Sequence, residues 1–238
     1  GQAACREPRA RVTRGAPGGV GPARLICDLD GTLADSAPSL CAAGNRVLAA
    51  LGRAPVTVET YKTFVGRGQR VQVQRLLEAT GGVPGGDAAP WLARFRETYD
   101  PLEASSAYPG AAQALRTLRA GGWRVSVCTQ KPGAKAERLL EGLGLAVDLV
   151  VGGDSVTEAD GNEVLKPDPR VIAAAAEPLG DGPAVYVGDS ETDAETAAAG
   201  GLPFLLHLGG YRHGDVPADD AFEDWAEVPA VARALAGL

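Results

Sequence analysis

The chain has 238 residues, long for one small domain and short for two large ones, so one core domain carrying a sizeable insert is the natural expectation. Its 23 basic and 30 acidic residues give a net charge of −7 at pH 7, which argues against nucleic acid or an anionic membrane as a partner and favours small soluble molecules. With 45% hydrophobic and 22% charged residues the composition is neither disordered nor fibrous, and the longest apolar stretches fall far short of the roughly 20 residues a membrane span needs.

Residues 1–23 hold Arg6, Arg9, Arg11 and Arg14 against Glu7 alone and lack the apolar centre of a secretory signal. They are expected to form a flexible leader on a cytoplasmic protein. From residue 24 onward, short apolar runs ending in polar residues alternate with helix-like stretches, the pattern of a parallel sheet covered on both faces. Strands are expected over 24–30, 123–129, 145–152, 184–189 and 203–208, and helices over 111–120, 134–143, 170–179 and 191–199. Pro132 and Pro169 suit a first helical turn; Gly121, Gly144 and Gly200 suit positions just past a helix end.

The stretch 37–103 breaks this rhythm, with helical patterns over 39–51, 69–80 and 89–99 and no convincing strand. The fold is therefore expected to be α/β, a Rossmann-like parallel-sheet core formed by 24–36 and 104–238 and interrupted by a helical insert, 37–103. Pro38 and the loop 105–110 would connect the two. The glycine-rich turn 81–86 lacks a following Lys-Ser/Thr and reads as a helix-to-helix loop. Cys5, Cys27, Cys41 and Cys128 lack zinc-site spacing and read as buried or free thiols.

Asp28 and Asp30, in Asp28-Leu29-Asp30-Gly31-Thr32, end the first strand, where alternation points both to one side. Two carboxylates 4 Å apart repel by about 4 kcal/mol at an effective dielectric near 20, unless a cation or shared proton relieves them. Asp189 and Asp193 follow another strand; helix-start charge explains Asp193 but not an acid at the strand end. The carboxyl ends of parallel strands form the ligand crevice of such sheets, so Asp28, Asp30 and Asp189 could converge on a hard cation, with Mg²⁺ the leading candidate. Thr129 ends a third strand near a helix start suited to an anion. Lys166 stands before Pro167-Asp168-Pro169, where Asp168 can cap a helix. Each feature alone has a bland reading; together they are the parts needed to hold magnesium and a phosphate.

In this order, the acid pair, hydroxyl residue, lysine and second acid group resemble the haloacid dehalogenase superfamily over roughly residues 23–238. Within it, the run 28–36, Val65-Gly66-Arg67-Gly68, Tyr108-Pro109-Gly110, the run 151–155 and Gly210-Tyr211-Arg212 are similar to bacterial phosphoglycolate phosphatases. Two features depart from that pattern: Gln130 stands where asparagine is usual, and 158–163 lengthens the loop before Lys166.

The resemblance implies that Asp28 is the nucleophile and Asp30 the acid and base. It implies that Thr129 and Lys166 hold the phosphate, with Gly31 and Gln130 against the substrate. The metal would lie on the carboxylates of Asp28 and Asp189 and the main-chain carbonyl of Asp30, with Asp193 in support. The insert resembles a small cap that selects the leaving group, and Arg67 is its candidate for a substrate carboxylate, since a guanidinium matches that group's planar geometry. Lys62, Lys131 and Arg212 are weaker candidates; His207 and His213 receive no role. The partner is expected to be a small phosphorylated metabolite, and the protein a monomer or homodimer. A sugar phosphatase or phosphomutase shares the same core, and a phosphate-binding module without turnover is the rival from another class; a phosphate-release assay separates them.

Overall fold

The computed structural model describes residues 21–238. The leader, including Cys5, lies almost wholly outside them. Ala23 proves to belong to the core: it is buried, and its carbonyl accepts the Arg124 amide. In chain order the elements are β1 (Arg24–Cys27), β2 (Ala34–Asp35), α1 (Ala37–Ala50), α2 (Val58–Lys62), α3 (Gly68–Ala79), α4 (Ala89–Thr98) and β3 (Ser106–Ala107). There follow α5 (Ala111–Ala120), β4 (Arg124–Cys128), α6 (Gly133–Gly142), β5 (Leu149–Val151) and α7 (Pro169–Ala176). The last are β6 (Ala184–Gly188), α8 (Glu191–Ala199), β7 (Phe204–His207), β8 (Asp220–Phe222) and α9 (Val228–Leu235).

Six strands form one parallel sheet in the order β5-β4-β1-β6-β7-β8. The chain leaves β1 toward β4 and β5, then returns to its other side with β6. The crevice at this reversal of direction is where open α/β sheets bind ligands. Strand alternation divides the core into two layers. Leu25, Cys27, Val125, Val127, Val185 and Val187 pack under α5, α6 and α9. Ile26, Cys128, Tyr186, Phe204 and Leu206 face α7 and α8. Cys27, Cys41 and Cys128 are free, buried thiols.

The strand expected over 145–152 shrinks to Leu149–Val151, because Asp148 already binds the Val125 amide at 2.8 Å through its side chain and bends the chain ahead of the ladder. The helix expected over 170–179 ends in a 3₁₀ turn, Glu177–Leu179. Asp168 caps α7 by accepting the Arg170 amide at 2.9 Å. The lengthened loop before Lys166 folds into a small exposed hairpin, with Thr157 bridged to Glu163.

The helical insert builds its own apolar cluster, in which Leu40, Val47 and Leu48 of α1 meet Val73, Leu76 and Leu77 of α3 and Phe95 of α4. Its two connections are tied to each other: β2 and β3 pair antiparallel, Ala34 with Ala107 and Asp35 with Ser106. This ribbon was not legible as a strand pair, since two residues on each side carry no period. Among the described residues no helix is long and apolar enough to cross a membrane.

Candidate active site

Asp28 leaves β1, Thr129 leaves β4 and Asp189 leaves β6, so the register of three neighbouring strands brings them to one end of the sheet. Together with Asp30, Gln130, Lys131 and Lys166 they line a cavity. The insert covers it with Leu40, Val65, Gly66, Arg67, Gly68, Gln69 and Gln72.

Lys166 ties the floor together. Its buried Nζ lies 2.9 Å from Asp28, 2.7 Å from Asp193 and 3.3 Å from the Tyr186 hydroxyl. Burial alone would lower its affinity for a proton, but Asp193 and Asp28 outweigh it and hold the ammonium above the usual lysine range. Asp193 is wholly buried and fully committed. One oxygen takes Lys166 and the Tyr186 hydroxyl, while the other accepts the Asp189 and Ser190 amides and the Ser190 hydroxyl, closing a capping box on α8.

Asp189 accepts the Thr32 hydroxyl and the Tyr211 amide, each at 2.7 Å. Burial and the neighbouring Asp193 and Asp28 push its carboxyl well above the usual range. Asp28 is raised to about 7, chiefly by burial, with Lys166 opposing and Asp193 and Asp30 adding to the rise. The carboxylates of Asp28, Asp189 and Asp193 come within 4.8 Å of one another, so this buried, all-oxygen cluster can hold a hard cation that would relieve the repulsion. Asp193 joins that cluster geometrically, but its oxygens are already occupied by protein donors.

Asp30 takes a separate environment. Its carboxylate accepts the Ser36 hydroxyl and pairs with the buried Lys131 Nζ at 2.9 Å. That ammonium also lies 2.6 Å from the Tyr99 hydroxyl, at the end of α4. Burial would lower the Lys131 proton affinity, yet Asp30 and Tyr99 hold it above the ordinary range. Lys131, ranked among candidates for a substrate carboxylate, is thus engaged by the protein. Lys62 is likewise paired, with Glu59 at 2.8 Å, and Arg212 is exposed. Thr129 is buried, and its hydroxyl oxygen accepts the Lys131 amide at 3.2 Å, which leaves the hydroxyl proton to donate into the cavity.

Gly31 does not line the cavity, against the expectation that it touches substrate. Its amide is committed to the Ala34 carbonyl, and at φ +91° a Cβ there would fall 2.3 Å from Asp189. The glycine makes room for Asp189. Arg67 is placed at the rim, exposed, with φ +55° between Gly66 and Gly68, both also at positive φ. A side chain in that conformation costs about 1–2 kcal/mol. Gln130 sits within the cavity wall, its Oε1 buried and without a partner.

Several site residues stand outside the expected set. The Tyr211 hydroxyl accepts the Ser36 and Ala37 amides at 2.8 and 3.0 Å and donates to Asp35 at 2.6 Å. It therefore joins the entry to the insert with the segment that binds Asp189. His207, given no role, is buried, and its Nδ1–H donates to the Gly31 carbonyl at 2.8 Å; Trp225 donates to the Thr32 carbonyl at 3.2 Å. Tyr211 and Ser36 were visible as motif members, but they meet each other across 175 residues, which no local pattern reveals.

Residues 24–201 match the family of haloacid dehalogenase-like hydrolases. A phosphoglycolate phosphatase of Cereibacter sphaeroides is 42% identical over 219 residues, 89% of this chain and 98% of that protein. One from Rhodospirillum rubrum is 41% identical, over 87% of this chain and 89% of its own. Among solved structures, a predicted phosphoglycolate phosphatase from Haemophilus somnus superposes with a TM-score of 0.78 at 24% identity, covering 87% of this chain and 96% of that one. CbbY from Rhodobacter sphaeroides in complex with phosphate superposes at 0.70, also at 24% identity, over 86% and 95%. These two likenesses concern the fold.

Proposed function

Because the chain belongs to the haloacid dehalogenase-like hydrolase family, we propose that it is a Mg²⁺-dependent phosphomonoester hydrolase acting on 2-phosphoglycolate. Relatives of that name match most of the chain at about 40% identity, which supports the substrate. The observation that carries the chemistry is the Lys166 ammonium held between Asp28 and Asp193 on the floor of the covered cavity.

Lys166 draws a phosphate toward Asp28, and the Thr129 hydroxyl donates to a phosphoryl oxygen. An Asp28 carboxylate oxygen attacks phosphorus, the bond from phosphorus to the leaving oxygen breaks, and Asp30 gives that oxygen a proton. Water then attacks the aspartyl phosphate, passes a proton to Asp30, and the bond to Asp28 breaks, releasing inorganic phosphate. Ser36 and Lys131 hold Asp30 in place for both transfers. Asp28, Asp189 and the Asp30 carbonyl would hold Mg²⁺, with Asp193 behind them; when bound, the ion offsets the crowded negative charge.

The helical insert acts as the cap. It excludes bulk water, and Arg67 at its rim binds the glycolate carboxylate. The test is phosphate release with Mg²⁺ from 2-phosphoglycolate beside hexose phosphates and nucleotides. Preferred hydrolysis of phosphoglycolate is expected; a strong preference for a hexose phosphate, or its isomerisation without phosphate release, would refute the substrate.

A further inference from the structure

Gln72 is a polar residue on the apolar phase of α3. Val73, Leu76 and Leu77 of the same helix pack into the core of the insert, and Gln72 precedes Leu76 by one helical turn. It is buried to 7% exposure, lines the cavity, and its Oε1 has no hydrogen-bond partner. A buried carboxamide without a partner is unfavourable where a leucine would pack freely, so the position holds a group that the fold does not use. Its neighbour Gln69 differs, since the Gln69 Oε1 accepts Arg96 at 3.2 Å.

A second uncommitted carboxamide comes from the opposite wall. The Gln130 Oε1 is also buried and partnerless, and it lies 3.3 Å from where a Cβ of Gly68 would stand. Gly68 and Gln72 are four residues apart on α3 and so share a face. The two amides therefore border the same part of the cavity, between the cap and the catalytic floor.

We propose that the Gln72 carboxamide is a specificity-determining contact that, with Gln130, binds the polar end of the leaving group opposite the phosphate. This deepens the phosphoglycolate reading and rests on it. An amide turned about its terminal bond offers two N–H donors, which suit a carboxylate, and it adds no charge of its own. Arg67 at the rim supplies the charge. An apolar leaving group would leave both amides unsatisfied, so selectivity against it follows from the same contact.

The test compares Gln72→Leu and Gln72→Glu with the wild-type full chain on three esters: 2-phosphoglycolate, phosphoethanolamine and p-nitrophenyl phosphate. Gln72→Leu should keep or raise Tm, because it removes the unsatisfied group. It should lower kcat/KM for phosphoglycolate about tenfold or more, mainly through KM, and for p-nitrophenyl phosphate by less than about threefold. Gln72→Glu, nearly isosteric but anionic, should raise the preference for phosphoethanolamine over phosphoglycolate about tenfold or more. Equal losses on all esters, or unchanged ratios in both variants, would overturn the proposal. If the wild type releases no phosphate from phosphoglycolate, the substrate reading fails instead. The contact then stands if Gln72→Glu still shifts preference between phosphoethanolamine and ethyl phosphate, whose leaving group is uncharged, and falls if it does not.

Discussion

The floor and the roof of the cavity treat their polar groups in opposite ways. On the floor, Asp193 accepts from four donor residues, Lys166 donates to three partners and Asp189 is held by Thr32 and Tyr211. In the wall and roof, Gln72 and Gln130 each leave a buried oxygen without a partner, and Arg67 is exposed at the rim. Groups that stabilise developing charge work best when they need not reorganise. Groups that select a leaving group must leave capacity for it. In the proposed mechanism the contrast separates chemistry, preorganised by the core, from selection, which the insert and Gln130 leave open.

Floor substitutions should therefore damage every substrate alike. Asp28→Asn keeps the shape but removes the proposed nucleophile, and turnover of all phosphate esters should fall at least about 10³-fold with circular dichroism unchanged. A phosphoryl group trapped on any residue other than Asp28 would break the assignment. Lys166→Ala should cost about 3–5 kcal/mol of stability as well as activity, because Asp28 and Asp193 lose the buried cation between them; denaturant unfolding measures it.

Tyr211→Phe sharpens the boundary between the two regions. The hydroxyl joins Asp35, Ser36 and Ala37, at the entry to the insert, to a segment whose amide binds Asp189. Losing it leaves two buried amides and a carboxylate short of a partner, at about 1–3 kcal/mol, and should lower kcat on all substrates. A change confined to KM for phosphoglycolate would place Tyr211 in selection rather than in the floor.

The acidic cluster also has a signature in pH. Between the usual aspartate value of about 4 and the raised value of about 7, folded Asp28 keeps a proton that the unfolded chain releases. Stability without metal should therefore fall as pH rises through that window, and a divalent cation should restore it above. The Tm increase caused by Mg²⁺ is expected to be larger near pH 8 than near pH 5.5. An equal increase at both pH values would argue against ion binding at Asp28.

The smallest effect belongs to the rim. Arg67→Ala should reduce kcat/KM for phosphoglycolate about tenfold and affect an aryl phosphate with an uncharged leaving group much less. Arg67→Gly should lose the same selectivity yet be more stable than the alanine variant by about 1 kcal/mol, since glycine adopts the left-handed conformation freely. Equal Tm values for the two variants would show that the loop relaxes around residue 67.

Much of this organisation was legible in the order of residues, because it follows from local rules. Short continuous apolar runs located β1, β4, β6 and β7, and the polar residue ending each of the first three placed Asp28, Thr129 and Asp189 at one edge of the sheet. Helices α5 and α8 span the expected 111–120 and 191–199, with Gly121 and Gly200 just past their ends. The apolar phase of α3 even marks Gln72 as an exception, though nothing local says whether a buried glutamine finds a partner. What folding alone settled depends on contacts between distant segments. Lys166 meets Asp28 across 138 residues, and Tyr211 meets Asp35 across 176. Hydrogen-bond satisfaction is a property of the packed whole: Lys131 is held by Asp30 and Tyr99 while Gln72 remains unpaired, because only tertiary packing decides which donors reach which acceptors.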